Sequence, residues 1–380
     1  MQVRLVGQWM SPSSSVKRVA VSYTSQHFFD GHILHPSTEI VIDNGNVTSV
    51  RPLDGTPEHF LISPGLIDVQ MNGFGAFDVS VASVEDFIEL DAELLQHGTT
   101  SWLATVVTAP LERLGASVRL IDNNIAASST GCLGVHVEGP FLGLAPGAHN
   151  PKWIIPFDAN WTSSLPSSMK LMTVAPEQEK VVENISALAQ TGVVVSLGHT
   201  KASSDQWSAA VGEGARMVTH LFNGMSGIHH RDGGVALHAL TDDRVICGLI
   251  ADMVHVSPES VALAFAAKGS HGVCLVSDTI AWNAEWARKR GITIVNGAPQ
   301  LPDGTLAGSA TPLAQCVRNA VKRCGVPLGD ALAAATSTPA GLLGYPQMGC
   351  MNVGQRADIT VFDEELSVVE ARRGLVSTRG

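Results

Sequence analysis

Histidines, carboxylates and side-chain amides in this 380-residue chain recur at one kind of place, the end of a short apolar run. Such runs close on Gln70 and Asn72, on His136 and Glu138, on His199, on His220, on Asp252 and His255, and on Asp278. One histidine at such an end is most simply a satisfied structural residue; six run ends sharing the habit point to a common site. Brought together, Glu138, His199 and His220 offer one oxygen and two imidazole nitrogens with a fourth position open. That is the donor set of a catalytic divalent metal, zinc or a similar ion. Water in the open position is acidified from a pKa of about 15.7 towards about 7. Asp278, in Val276-Ser277-Asp278-Thr279, then stands as general base and afterwards returns the proton to the leaving group. Such a role is worth roughly two to four orders of magnitude in rate. The plainer reading of Asp278 is a helix N-cap.

The elements that must position these residues follow from the same runs. Between 64 and 345 the apolar segments are PGLIDVQMNG, TSWLATVVT, LGVHVEGPF, LMTVAPE, VVVSLGHT, MVTHLFN, VICGLIAD and GVCLVSDT, eight in all. Most are separated by stretches with helical character, at 84–97, 111–127, 179–191, 202–213 and 258–268. Near-continuous apolar strands alternating with helices imply a parallel sheet covered on both faces. Eight such units predict a (β/α)8 TIM-type barrel, whose strand C-termini all face one site. An open doubly wound sheet has the same periodicity, but no GxGxxG follows the first run, so dinucleotide binding has little support.

The chain ends read differently. Residues 26–63 alternate short apolar runs with turn signals, and Asp43-Asn44-Gly45-Asn46 is a hairpin turn between two β-rich runs. A matching piece, GQRADITVFDE, recurs at 354–364. The expected organisation is a prefix without assigned role at 1–24, a small β-sandwich domain from 25–63 plus 346–380, and the barrel at 64–345. Lys and Arg total 24 against 35 Asp and Glu, a net charge of −11, which argues against nucleic-acid and anionic-membrane partners. Hydrophobic residues at 45% and charged residues at 16% supply a large core. The six cysteines form no CxxC pair and read as reduced thiols of a cytoplasmic protein. Neither a membrane span nor a signal peptide is expected.

Taken in order, PGLIDVQMNG (64–73), HVEGPFL (136–142), GAHNP (147–151), SLGHT (196–200), THLFNGM (219–225), ADMVHV (251–256), SDT (277–279) and LAGSATPL (306–313) give the chain a family likeness. Over about residues 26 to 365 it resembles the N-acetylglucosamine-6-phosphate deacetylases of the amidohydrolase superfamily. The resemblance implies metal-dependent hydrolysis of the acetamide of an N-acetylhexosamine 6-phosphate, in amino-sugar catabolism. It puts the metal ligands on Glu138, His199 and His220, the trio already selected, and the proton-shuttling aspartate on Asp278. It puts substrate contacts on Ala148, His149, Asn223, Gly224, Arg231, His255, Leu306, Ala307 and Gly308. Arg231, a guanidinium suited to a 6-phosphate, is expected to reach the neighbouring subunit's site, which implies a homodimer.

Departures from the pattern carry expectations of their own. Much of the superfamily has His-x-His at the end of the first strand, holding a second metal; here the place reads Gln70-Met71-Asn72. Amides are poor zinc ligands beside imidazole and carboxylate, so one catalytic metal is expected and Gln70 and Asn72 mark a vestigial second position. Glutamate with two imidazoles also accepts iron, cobalt, nickel or manganese. Gly224 stands where alanine is usual, and 227–232 and 282–290 diverge, which leaves N-acetylgalactosamine 6-phosphate as the competing substrate. An amidohydrolase acting on a cyclic amide is a further alternative, disfavoured because no His-x-His and no strand-end lysine is present. A barrel that has lost its chemistry should have lost ligands, and none is missing.

Overall fold

In a computed structural model of the chain, residues 20–378 are described. All eight apolar runs are strands: β1 Leu66–Met71, β2 Thr99–Val107, β3 Cys132–Glu138, β4 Met169–Val174, β5 Val194–Leu197, β6 Met217–Val218, β7 Ile246–Leu249 and β8 Val273–Leu275. They hydrogen-bond in parallel as one sheet, each beside its neighbour in sequence. Every residue of β1 and β5 is buried, as expected for strands with helices outside and side chains filling the interior. The ring is completed at its C-terminal rim. Met71 bridges Thr279, the Asp278 N–H donates to the Gln70 carbonyl at 2.9 Å, and the Asn72 N–H donates to the Thr279 carbonyl at 2.8 Å. The amides and the aspartate picked out from the sequence thus join the first strand to the last. The open doubly wound sheet is set aside.

Helices cover the outside of the ring. Val84–Gln96 starts at a Ser83–Asp86 capping box and Ser204–Gly212 at a Ser203–Gln206 one, each satisfying two otherwise orphaned N–H groups. Leu111–Ala127 and Pro258–Lys268 have the bounds read from the sequence. The helix expected from 179 begins only at Val182, because Lys180 adopts φ +64°, which no right-handed helix tolerates. Val235–Thr241 and Leu313–Cys324 complete the sixth and eighth units; neither was read from the sequence.

The two chain ends meet in a second sheet of eight strands. Val21–Phe29, Leu34–His35, Thr38–Asp43, Asn46–Pro52 and His59–Pro64 come from one end, and Asp358–Phe362, Val368–Arg373 and Val376–Ser377 from the other. Asn44 and Gly45 both have positive φ, the type I′ geometry that Asn-Gly favours between twisted strands. The seam between the ends is the antiparallel pairing of His59–Pro64 with Asp358–Phe362, over a core that includes Phe28, Ile40, Ile62, Ile359 and Val361. Val21–Phe29 begins inside the stretch assigned to the prefix; residues 1–19 of that prefix lie outside those described.

A buried ion pair helps fasten the second sheet to the barrel. Arg373 forks onto Asp91 with N···O distances of 2.9 and 2.5 Å, and Asp91 also accepts from Trp102 Nε1 at 2.9 Å and from the Gly131 N–H at 2.7 Å. The two side chains are 10% and 7% exposed, so removal of one leaves the other charge buried without its partner. Such losses cost about 3–5 kcal/mol. Arg373→Ala is expected to lower the unfolding free energy, read from denaturant titration, by that amount, and a change under about 1 kcal/mol would place the pair among ordinary surface bridges.

Candidate metal centre and active site

Strand alternation sends His136 and Glu138 to the same side of β3, towards the barrel axis. His199 and His220 each stand two residues beyond their strands and have positive φ, +50° and +30°, as does Asp278 at +49°. Left-handed backbone at a non-glycine residue costs on the order of 1–3 kcal/mol and persists only where the surroundings over-determine it. Gly198 is part of those surroundings: a Cβ there would lie 2.8 Å from Thr173 Cγ2 and Thr219 Cβ.

The result is a tight convergence. Glu138 Oε1 lies 3.0 Å from His199 Nε2 and 3.0 Å from His220 Nε2, and the two imidazole nitrogens are 3.1 Å apart. Donors at roughly 2.0–2.1 Å on the corners of a tetrahedron sit about 3.3 Å from one another, so these three atoms fit one divalent cation. His199 Nδ1 is 3.1 Å from the Ala145 carbonyl; donating there leaves the Nε2 lone pair facing Glu138, the usual arrangement of a metal-binding histidine. His149 joins the group, with Nε2 3.1 Å from His199 Nε2 and 4.0 Å from Glu138 Oε1. The sequence reading had it only as a substrate contact, and a lone histidine in a loop carries no signal of this proximity.

Burial and mutual charge set the protonation states. Burial opposes ionisation of Glu138, but its close contacts with the His199 and His220 imidazoles and the charge of His220 hold its carboxyl well below the usual range. Burial also opposes a charge on His220, yet its bond to Glu138 lifts it to about 9. His149 is pushed down to about 3 by burial and by the neighbouring His199. His136, pushed down to about 4 by burial, is held neutral between Thr173 Oγ1 at 2.8 Å and Thr105 Oγ1 at 3.3 Å, beneath the cluster and outside the donor set.

Asp278 stands beside this group. Its Oδ1 accepts from Asn72 Nδ2 at 2.9 Å and from Gln70 Nε2 at 3.1 Å, and the same Gln70 nitrogen lies 3.4 Å from Glu138 Oε1. Where a second metal would need lone pairs, the two amides therefore present N–H groups. Burial and the Glu138 charge raise the Asp278 carboxyl to about 6. His255 is held by Asp252, whose carboxylate takes Nδ1 at 2.7 Å and the N–H groups of Val254 and His255 at 2.9 and 2.8 Å. That i,i+3 pair was visible in ADMVHV, though the sequence assigned Asp252 no job.

The remaining expected contacts are placed unequally. Gly224, at φ +58°, lets its loop pass His199: a Cβ there would lie 2.8 Å from Nδ1. Asn223 Nδ2 donates weakly to the carbonyls of His220 and Leu221, both at 3.4 Å. Leu306 bridges Gln300, the Ala307 N–H donates to Pro299, and Gly308 at φ +83° packs on Ile280, just before Ser309 donates to the Asp278 carbonyl at 2.8 Å. Ala148 is exposed next to His149. Arg231 is not brought to the cluster; it lies exposed in a loop closed by a His229–Gly233 bridge, with its guanidinium 3.1 Å from His230 Nε2.

Known proteins are similar to this chain in sequence and in fold. Residues 61–377 match the amidohydrolase family model. An N-acetylglucosamine-6-phosphate deacetylase of Homo sapiens is 35% identical over 332 residues, 81% of this chain and 81% of its own length. The chain belongs to the N-acetylglucosamine-6-phosphate deacetylase family. The Bacillus subtilis member is 29% identical across 95% of this chain and 96% of its own. A mutant Mycobacterium smegmatis deacetylase, solved in complex with N-acetyl-D-glucosamine-6-phosphate, superposes with a TM-score of 0.86 at 29% identity, covering 93% of this chain and 98% of that one. This chain is thus a deacetylase-family hydrolase built on the amidohydrolase barrel, with a buried donor set that fits a divalent metal. No helix among the described residues is long and apolar enough to cross a membrane.

The two amide donors favour the ionised Asp278. A hydrogen bond to a charged group is worth about 1.5–3 kcal/mol, and one pKa unit is about 1.36 kcal/mol. A carboxylate can act as a base only when ionised, so a reaction that uses Asp278 in that way should slow as pH drops through this value. Asn72→Ala should move this acid limb of kcat/KM upward by about one pH unit. An unmoved limb would disconnect Asn72 from the titration of Asp278.

Proposed function

We propose that this enzyme hydrolyses the acetamide of N-acetyl-D-glucosamine 6-phosphate, releasing acetate and glucosamine 6-phosphate. The observation that carries the reading is the placing of Asp278, raised to about 6 and steadied by two amides, against the Glu138–His199–His220 convergence. Glu138, His199 and His220 would hold a single divalent cation, zinc in our reading, which would supply Lewis-acid chemistry towards the amide carbonyl and the attacking water; Gln70 and Asn72, having no lone pair directed between the carboxylates, would hold none. Asp278 takes the water's proton on a carboxylate oxygen and delivers it to the amine nitrogen as the C–N bond breaks. His255, fixed by Asp252, and His149 donate to the acetyl oxygen, sugar hydroxyls or phosphate. Asn223, Gly224 and the Ala148 and Leu306–Gly308 backbone line the substrate.

Domains follow from this division of labour: 64–345 as the catalytic barrel, and 25–63 with 346–380 as the small β domain beside it. Arg231, exposed and met among the described residues only by a neighbouring histidine, fits a role in a homodimer, binding the 6-phosphate in the adjacent subunit. The deciding experiment is acetate release from N-acetylglucosamine 6-phosphate and its galacto epimer, with enzyme zinc-loaded or chelated. Release that depends on metal and favours the gluco epimer supports the reading; preference for the galacto epimer replaces the substrate, and metal-independent release removes the mechanism.

Asp278→Asn should keep zinc affinity and cut kcat by roughly two orders of magnitude or more, since general acid–base assistance is lost. Unchanged turnover would take Asp278 out of the mechanism. Arg231→Ala should raise KM for the phosphorylated sugar far more than for its unphosphorylated analogue. Co-expressing Arg231→Ala with Asp278→Asn should regenerate active sites, because each mixed dimer pairs an intact Asp278 with the partner's intact arginine; no recovery would confine Arg231 to its own subunit.

A further inference from the structure

One carboxylate that closes the run LMTVAPE, and to which the sequence reading gave no role, ties together the loops that hold the cluster. Glu177 follows β4 in Val174-Ala175-Pro176-Glu177 and is half-buried. Its Oε1 accepts the Leu144 N–H at 3.1 Å and the Lys201 N–H at 2.7 Å, and its Oε2 accepts the Thr200 hydroxyl in a short bond. The loop after β3 and the loop after β5 are therefore both fastened to the loop after β4. Gly143 leaves the room: a Cβ there would lie 2.0 Å from Glu177 Oε1 and 2.3 Å from its Cδ.

What these loops do next gives the carboxylate its consequence. The Gly143 N–H donates to the His199 carbonyl at 2.9 Å, and the Ala145 carbonyl meets His199 Nδ1 at 3.1 Å. His149 follows on the same loop, and the Thr200 N–H donates to the Gly224 carbonyl at 3.0 Å, beside the same ring. We infer that Glu177 is a positioning residue, latching the 143–149 loop to the 199–201 loop so that Ala145 fixes the His199 tautomer and orientation for metal binding. Glu177 touches neither metal nor substrate. Partners behind a metal-bound histidine typically govern metal affinity by ten- to a hundredfold, roughly. The inference rests on the metal reading above.

The test is zinc affinity, measured by competition with a chromophoric chelator, for the full chain and three variants. Glu177→Ala should weaken zinc binding about tenfold or more. Gly143→Ala, which displaces the carboxylate without removing it, should weaken binding too and serves if the first variant does not fold. Glu177→Gln should stay close to wild type, because its oxygen still accepts both N–H groups and its amide can donate to Thr200. A folded Glu177→Ala with wild-type zinc affinity overturns the inference, as does a Glu177→Gln as impaired as Glu177→Ala. If the wild-type chain binds no zinc, the metal reading fails. The latch is then read from imidazole ¹⁵N shifts of the metal-free chain: His199 protonated on Nδ1 in wild type and Glu177→Gln but mixed in Glu177→Ala supports it, and one tautomer throughout overturns it.

Discussion

Three lone-pair-bearing atoms within about 3 Å of one another, buried at the mouth of a barrel, are the constraint to which the rest of the structure answers. Left to themselves, a carboxylate and two imidazoles in that space would share protons or move apart. A cation at their centre converts the crowding into binding. Holding the geometry ready requires backbone that is unfavourable locally, the left-handed residues at His199, His220 and Asp278, and close approaches that only glycine permits at 198 and 224. Rigid strands two or three residues away over-determine those torsions, which is why a barrel rim can carry them and a free loop could not.

The same residues also complete the scaffold. Asp278 and Asn72 present side chains to the site while their backbone N–H groups, with the Gln70 carbonyl, join the last strand to the first. The placing of these side chains and the closure of the barrel are therefore one set of bonds. Beneath them lies a layer of buried hydroxyls, Thr173, Thr219 and Ser196, linked at 2.6–2.7 Å and bonded on to His136. Fully paired, such a layer is rigid in a low-dielectric interior, and it supports the donors from below.

How much of this was legible in the sequence depended on whether the information was local. Buried parallel strands write themselves as apolar runs, so all eight barrel strands could be read, and the polar residues closing six of those runs pointed to Glu138, His199, His220 and Asp278. Asn44-Gly45 announced its turn because the torsions it needs are its own. Lys180 cut a helix short through a single backbone angle that no periodicity records. The proximity of His149 to the cluster and the clamp at Glu177 arise where separate loops meet, and an isolated residue in a loop looks alike whether it meets a partner or not. Arg231 could be named from a resemblance, yet its place within one chain is an exposed loop away from the donors.

The seam in the smaller sheet has a consequence for biosynthesis. Ile62 pairs with Val361, so roughly 300 residues must be made after one edge before its mate emerges from the ribosome. Throughout that interval His59–Pro64 offers one flank of unpaired peptide groups while the barrel beside it can already assemble. The nascent protein thus carries an adhesive strand exposed over that whole interval, and Asp358–Phe362 is the cover that seals it.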